Sequence, residues 1–432
     1  MKLKIKKLLQ DKFIRGTFFL TVASFGGAFF NYLVHPILTR HLSIPAYGDF
    51  QAMLSFLAIL GILTAVISTV ITKETSILAA KRPEAIEALR KKASRYFFFF
   101  GLFIFTLVVI FIRPLNELFK ISEGTILIIA SLTLLYTFPL VINRAVLRGR
   151  QDFFALALNN FLDPASRLFF IVLFVILWPL GLIGAAWAIG LTSLVAFGLS
   201  FYQIRKLKLP VDRNAPPPSL RSFWRYLLLV LWFMGLTQFF YNFDMLFVKS
   251  FFSPEEAGLY GALLTIGRII YFIGGVVPLV MFPVVANLKE DNSLRRYVVL
   301  GKSILLLAAV TLPAYLVIAF WPEFVVKIIV GSKYLAIAPY LAGFSLVMVA
   351  LTLINILANY FLALANRLSL VILSLAGITE IVFLSLFHNS FQQVILSLGL
   401  ALGLAALGLL FLALFEYNKA KQKLYVQLSP KD

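Results

Sequence analysis

The sequence predicts an all-α polytopic membrane protein. It should have about twelve transmembrane helices in two six-helix lobes, with both termini cytoplasmic. Three observations carry this. The 432 residues are 61% hydrophobic and only 13% charged, with mean hydropathy +0.94, which leaves less polar surface than a soluble domain of this size needs. Apolar runs recur at the length of roughly 20 helical residues that a hydrocarbon core about 30 Å thick demands. The cations are sorted along the chain: with the N-terminus placed inside, 31 of the 39 Lys and Arg fall on cytoplasmic segments and six outside, leaving Arg167 and Arg268 within the membrane. That is the positive-inside pattern. The net charge of +20 is therefore topology information and attraction to anionic lipid heads, not a nucleic-acid footprint.

The spans follow in order. Residues 17–40 come after MKLKIKKLLQDKFIR, which has the charged start of a signal peptide. The apolar run is too long and lacks a small-residue cleavage site, so it reads as an uncleaved first helix. Span 49–72 leads into the longest loop, 73–95, whose KRPEAIEALRKKAS predicts a short cytoplasmic helix started at Pro83. Span 95–112 is almost without polar groups and should face lipid, as should span 391–415. Spans 125–146, 154–178 and 181–203 complete the first lobe, residues 1–204. A basic, proline-rich linker, 205–221 (RKLKLPVDRNAPPPSLR), has the chemistry of a loop. The second lobe, 222–415, holds spans 223–248, 257–286, 299–321, 336–363, 368–387 and 391–415, and a basic cytoplasmic tail occupies 416–432. Prolines 139, 278, 283 and 313 read as kinks, and Gly399-x-x-x-Gly403 as a packing groove.

Two stretches match across the linker. FFNYLVHPILTRHLSIPAYGDFQA (29–52) lies beside FYNFDMLFVKSFFSPEEAGLYGALL (240–264), with Asn31 opposite Asn242 at an offset of 211, and Gly48 opposite Gly258 at 210. Internal duplication is common in transporters, with the binding site between repeats near the midplane.

Five ionisable side chains lie in apolar stretches: Asp163, Arg167, Asp244, Arg268 and Glu380. A charge at mid-membrane costs about 2.5 kcal/mol or more, so such groups face water or an opposite charge and mark substrate or ion pathways. Asp163-Pro164 has the start signature of a helix, with Asp as N-cap and Pro first, which predicts a break or kink in span 5. Arg167 lies one turn on, on the same face. Either the pair neutralises itself, or Arg167 presents its guanidinium to an anionic ligand while Asp163 orients it or takes up a cation. Arg268 has no acid within one turn, so a partner must come from another helix, Asp244 or Glu380. Its alternative role is phosphate recognition, which guanidinium geometry suits. Glu380, central in its span, reads as a proton or cation site or as the partner of Arg268. Asp244, near the outer end of span 7, reads as structural. His35-Pro36 reads as a kink with a satisfied imidazole or as a proton sensor. Polar residues on spans 1, 5, 7, 8, 10 and 11, including Asn31, Asn159, Asn242, Asn355 and Asn359, predict a polar interior lined by those spans.

Other chemistries lack their motifs. Gly301-Lys302-Ser303 resembles the end of a phosphate-binding loop, but Arg296 occupies the required upstream glycine position. Neither H-E-x-x-H nor G-x-S-x-G occurs, no loop carries an acidic cluster, and the absence of cysteine excludes disulfides and thiolate metal sites. The G-x-x-x-D-[RK] loop of major-facilitator carriers is missing from 73–95. No metal, cofactor or catalytic residue is expected.

PAYGDFQAMLSFLAIL (45–60), NRAVLRGRQDF (143–153), DMLFVKSFFSPEEAGLYGALLTIGR (244–268) and VGSKYLAIAPYL (330–341) resemble the polysaccharide-transporter branch of the multidrug/oligosaccharidyl-lipid/polysaccharide exporter superfamily, which includes the O-antigen-type oligosaccharide flippases. The likeness covers nearly the whole chain. It implies two lobes that open alternately to either side, in a bacterial or archaeal cytoplasmic membrane. The implied cargo is an oligosaccharide on polyprenyl pyrophosphate, moved to the outer leaflet. Membrane lipids, a glycan polymerase and glycosyltransferases are the implied partners. On that reading Arg167 and Arg268 contact pyrophosphate, and Asn31, Asn159, Asn242 and Asn355 contact sugar hydroxyls. Asp163 and Glu380 serve as counter-ions or cation sites. A cation-coupled small-molecule or multidrug exporter of the same superfamily is the alternative. A membrane enzyme of glycan assembly is a third reading, opposed by short outer loops without a candidate base.

Overall fold

The computed structural model describes residues 12–210, 221–288, 293–364 and 366–428, and among these there is no strand. The first eleven residues, the proline-rich part of the linker (211–220) and the last four residues of the basic tail lie outside the described residues. The helices are α1 (Lys12–His41), α2 (Ile44–Leu60), α3 (Ile62–Lys81), α4 (Ile86–Ile110), α5 (Ile112–Leu118), α6 (Thr125–Leu132), α7 (Leu134–Gly149), α8 (Phe153–Ile171) and α9 (Gly181–Lys206). They continue with α10 (Arg221–Phe251), α11 (Pro254–Gly274), α12 (Val276–Asn287), α13 (Ser293–Phe320), α14 (Pro322–Ile329), α15 (Ala338–Ala363), α16 (Arg367–Leu386) and α17 (Phe391–Leu428). Ten segments among the described residues are long and apolar enough to cross a membrane. The first and seventh expected spans coincide with α1 and α10, of 30 and 31 residues.

The expected loop 73–95 is largely helix. α3 runs to Lys81, a 3₁₀ turn covers Pro83–Ala85, and α4 starts at Ile86. Ala, Glu, Leu, Lys and Arg favour helix, and Pro83 sits where its missing N–H costs nothing. α4 therefore begins in the basic segment and runs on through the phenylalanine-rich one. Tyr96, Phe99, Phe103 and Ile110 are exposed along it, as a lipid-facing helix requires.

The chain falls into two compact units, Met1–Met234 with Phe252–Gly258, and Gly235–Phe251 with Leu259–Asp432. Helices in lipid gain little from apolar burial against one another, so close packing and hydrogen bonds hold them. In the first unit α7 packs against α3, α4 and α9, burying Phe138, Ile142, Ala145 and Val146. Tyr136 Oη donates to the carbonyl of Gly190 at 2.8 Å. Gly149 approaches α3 so closely that a Cβ there would lie 2.6 Å from Cβ of Thr75. In the second unit α15 is the hub, packed by α12, α13 and α17, with Phe344, Leu351 and Tyr360 buried. The Gly399/Gly403 pair is not a filled packing groove. Among the described residues Gly399 meets only Val347, at 3.7 Å from a Cβ, and nothing comes within 4 Å at Gly403. One face of α17 is nonetheless buried, through Val394, Leu398, Ala401, Ala405 and Leu409, so that span is only half lipid-facing.

The matched segments begin alike. Ser43 caps α2 by accepting from the N–H of Ala46 at 3.3 Å, and Ser253 accepts from the N–H of Glu256 at 3.3 Å. Glu256 accepts in return from the N–H of Ser253 at 3.0 Å, a capping box. The paired glycines meet: a Cβ on Gly48 would lie 2.7 Å from the nitrogen of Gly258, and one on Gly258 would collide with the carbonyl of Ile44.

Candidate functional site

The site in the first unit is built from α1, α7 and α8. Ser24, Gly27, Ala28 and Asn31 share one face of α1, and Asn160, Asp163, Pro164 and Arg167 share one face of α8 by their three- and four-residue spacing. With Arg144 of α7 they line a pocket of about 360 Å³. The helix pair is tight because α1 is glycine-rich where they meet. A Cβ on Gly27 would lie 2.9 Å from Cγ of Pro164 and 3.1 Å from the carbonyl oxygen of Asn160.

That contact also accounts for a difference from expectation. α8 does not restart at Asp163-Pro164; it runs unbroken from Phe153, capped by Asp152, whose carboxylate accepts from the N–H of Ala155 at 3.2 Å. Pro164 cannot donate to the carbonyl of Asn160, four residues back. That oxygen faces the bare backbone of Gly27, so the missing bond is accommodated by close packing and no new helix N-terminus forms.

Charge in the pocket centres on Asp163. Its Oδ2 accepts from Nη2 of Arg144 at 2.8 Å, and Oδ1 lies 3.5 Å from Nη2 of Arg167. Arg144 is held further by Asn159, through Nε to Oδ1 at 2.6 Å and Nη2 to the carbonyl at 3.4 Å. Asn159 is fully buried, and its amide donates to the carbonyl of Ala196 at 3.0 Å and to Oε1 of Gln203 at 3.4 Å. Its hydrogen-bonding capacity is thus spent inside the protein, orienting Arg144. Arg167 is held more loosely. It donates from Nη1 to Oδ1 of Asn31 at 2.7 Å, and its buried Nε has no hydrogen-bond partner among the described residues. Two guanidinium groups around one carboxylate give the pocket a formal charge of +1 and one arginine with unspent donors.

Arg144 escapes the sequence reading, which counts it among the cytoplasmic cations although it falls inside the expected span 125–146. Its position inside that apolar span, before the run ends at 146, is the signal that marks it. The imidazole of His35 has a partner, with Nδ1 3.1 Å from Oη of Tyr47, and α1 continues through Pro36.

The second unit brings Asp244, Tyr260, Arg268 and Glu380 into one buried region of α10, α11 and α16. Arg268 has neither Asp244 nor Glu380 as an ion-pair partner within 4.0 Å. Its Nη2 donates to the carbonyl of Tyr241 at 2.7 Å, and its guanidinium lies over the Tyr241 ring, 4.2 Å from the centroid. Asp244 instead accepts from Oη of Tyr260 at 2.9 Å and from the N–H of Met245 at 2.8 Å. Glu380 is fully buried, and neither carboxylate oxygen has a hydrogen-bond partner among the described residues. Asn242 is buried and donates to Gln238 of its own helix, to the carbonyl at 3.0 Å and Oε1 at 3.1 Å. Asn355, half-buried, accepts from Asn359 at 2.8 Å through its carbonyl and Oδ1. Of the sequence-predicted residues, Asn31, Asn159, Asp163 and Arg167 gather in the first unit, and Asp244, Arg268 and Glu380 share one buried region of the second, whereas Asn242 and Asn355 are hydrogen-bonded within their own helices.

A family model described as polysaccharide biosynthesis protein matches residues 37–339. Among solved structures, a multidrug resistance MATE family transporter of the MOP superfamily in its inward-facing conformation aligns at TM-score 0.78 and 14% identity, covering 91% of this chain and 95% of that one. The lipid II flippase MurJ, inward closed, aligns at TM-score 0.71 and 14% identity, covering 96% and 93%. An outward-facing MATE transporter of the same superfamily aligns at 0.64 and 17% identity, covering 96% and 98%. No curated protein matches. At such identities the structural likeness establishes the fold alone.

Proposed function

We propose, starting from the fact that this chain belongs to the polysaccharide biosynthesis protein family, that it is a transporter, not an enzyme. Its cargo is a polyprenyl-pyrophosphate-linked oligosaccharide, moved from the cytoplasmic to the outer leaflet by alternating access. The observation that carries this reading is the net-positive pocket around Asp163, in which Arg167 keeps an unspent, buried Nε. A pyrophosphate is a ligand of opposite charge, and a guanidinium binds phosphate oxygens in a planar fork. In this mechanism Arg167 exchanges its 3.5 Å contact with Asp163 for the incoming phosphate. Asn31 beside it meets the first sugar hydroxyls, and Asn355 serves the same role in the second unit. Asn159 and Asn242, both buried on internal partners, act by positioning.

Arg268 is the second candidate phosphate ligand. To serve, it must leave the carbonyl of Tyr241. Glu380 and Asp163 are the candidate coupling groups. A fully buried carboxylate without hydrogen bonds is costly when ionised, so taking up a proton or a cation stabilises Glu380 where it stands.

The test is translocation of a fluorescent polyprenyl-pyrophosphate oligosaccharide by the full chain in vesicles. Arg167→Ala and Arg268→Ala should lose flipping while still inserting in the membrane. Unimpaired flipping by both variants overturns the reading. Glu380 also suits the second reading, a cation-coupled exporter of small molecules. That reading predicts drug sensitivity on deletion with surface glycan intact.

A further inference from the structure

A second polar pocket lies in the first unit, away from Asp163, at the end of α4 and α9 that carries the basic segments. Its volume is about 340 Å³, and its lining includes four cations, Arg90, Lys91, Arg205 and Lys208, against one carboxylate, Glu87. The formal charge is +3. Glu87 is consumed by Arg90, which donates from Nε and Nη2 at 2.8 and 2.7 Å, and it lies 3.6 Å from Nζ of Lys91. Arg90 also donates to Oδ1 of Asn143 at 3.2 Å, and Asn143 in turn donates to Oγ of Ser200 at 3.0 Å. This buried chain fixes one wall of the pocket. Arg205 and Lys208 form the other, and neither has a carboxylate within 4.0 Å among the described residues. The Arg205 guanidinium is laid over the Phe201 ring at 4.4 Å, which orients it without neutralising it. α9 ends in a tight turn that places Lys208 in the left-handed region (φ 42°), a helix-terminating conformation that turns the chain back.

The position of the pocket identifies its ligand. On α9 the exposed residues change from apolar (Leu194, Val195, Phe201, Tyr202) to basic (Arg205, Lys206) within one turn. On α4 the exposed aromatics start at Tyr96, one to two turns after Arg90 and Lys91. That change of chemistry marks the boundary between acyl chains and headgroups. A cationic pocket at this level, with Phe201 and Ile204 as its apolar wall, has the chemistry of a site for a lipid phosphate. We propose that it binds the phosphate of an anionic phospholipid headgroup, with the acyl chains lying along the exposed apolar faces of α4 and α9. This assignment does not depend on what the protein transports.

The test uses the full chain, purified and delipidated in detergent, with equimolar phosphatidylglycerol and phosphatidylcholine added, and counts retained lipids by native mass spectrometry. The wild type should retain phosphatidylglycerol in preference by about thirtyfold, from two uncompensated cations at a membrane surface. Arg205→Ala/Lys208→Ala should lose most of that preference, whereas Arg205→Lys/Lys208→Arg keeps it. Both residues are exposed, so the fold should tolerate the change, and an unshifted thermal midpoint checks this. Equal retention of the two lipids by the wild type, or an unchanged preference in the alanine variant, overturns the proposal. Displacement of phosphatidylglycerol by millimolar inorganic phosphate assigns the pocket to a soluble anion and overturns the lipid.

Discussion

Replacing Arg144 and Arg167 separately by alanine should break the protein in two different ways. Arg144 makes a 2.6 Å bond to Asn159, a 2.8 Å bond to Asp163 and a longer one to the Asn159 carbonyl. Its removal strands the Oδ1 of an asparagine with no solvent exposure and leaves Asp163 with one cation at 3.5 Å. A hydrogen bond to a charged group contributes about 1.5–3 kcal/mol net. Two good ones are lost, but the side chains of Arg144 and Asp163 keep 18% and 16% exposure, so water recovers part of the loss. A destabilisation of about 3 kcal/mol follows. Arg167 loses one bond to a half-buried asparagine and a loose ion pair while keeping 25% exposure, so its removal should cost about 1 kcal/mol. The gap of about 2 kcal/mol is a factor of roughly 30 in the folded-to-unfolded ratio. Thermal unfolding in detergent should rank Arg144→Ala well below Arg167→Ala. Flipping per folded molecule should rank them the other way, with Arg167→Ala the more defective. Equal destabilisation, or full flipping by Arg167→Ala, refutes the division of roles.

Three further outcomes are expected. Gly27→Ala should destabilise by about 1–3 kcal/mol despite the better helix propensity of alanine, because its methyl meets Pro164 and the Asn160 carbonyl, and thermal midpoints will show the sign. Glu380→Gln should alter stability by no more than about 1 kcal/mol yet abolish the pH or cation dependence of transport, since it fixes the group in an uncharged form; vesicle assays across pH and sodium concentration check this. Outward movement of two negative charges, down the gradient of an inside-negative potential, releases about 2.3 kcal/mol per charge per 100 mV, so an ionophore that collapses the potential should slow flipping, and an unchanged rate sinks the idea.

How much of this was legible in the sequence depends on the kind of interaction. The spans were, because lipid leaves no alternative to a long apolar helix, and the boundaries at 125, 153 and 181 follow from composition and turn chemistry. Asp163 and Arg167 were, because charge in an apolar run is conspicuous and four-residue spacing puts the two on one face. Arg144 was not, because a cation near a helix end looks like one more mark of the cytoplasmic side. Nor was the partner of Arg268. Carbonyl acceptors and ring faces carry no sequence signal, so a search for an acid points to Asp244 and Glu380 when the structure offers Tyr241. The continuity of α8 through Pro164 was hidden for a similar reason, since it depends on a glycine more than a hundred residues away.

The distribution of charge between the two units argues against treating their arginines as equivalents. In the first, Arg144 and Arg167 flank one carboxylate, and the excess cation lies in an open pocket. In the second, Arg268 is tied to a backbone carbonyl and a ring, while Asp244 and Glu380 supply two carboxylates to one cation. With every group ionised the formal charges are +1 and −1. The first unit is therefore the better host for an anion and the second for a proton or metal cation. Uptake of one positive charge at Glu380 brings the second site to neutrality, as an anion of one charge does for the first. A carrier arranged in this way can let the two sites load at different stages of its cycle, because neither ligand has to displace the other. It follows that Arg268→Ala should be the milder of the two arginine substitutions for cargo affinity and the more severe for ion dependence. Equal loss of cargo affinity in Arg167→Ala and Arg268→Ala would restore the symmetric picture.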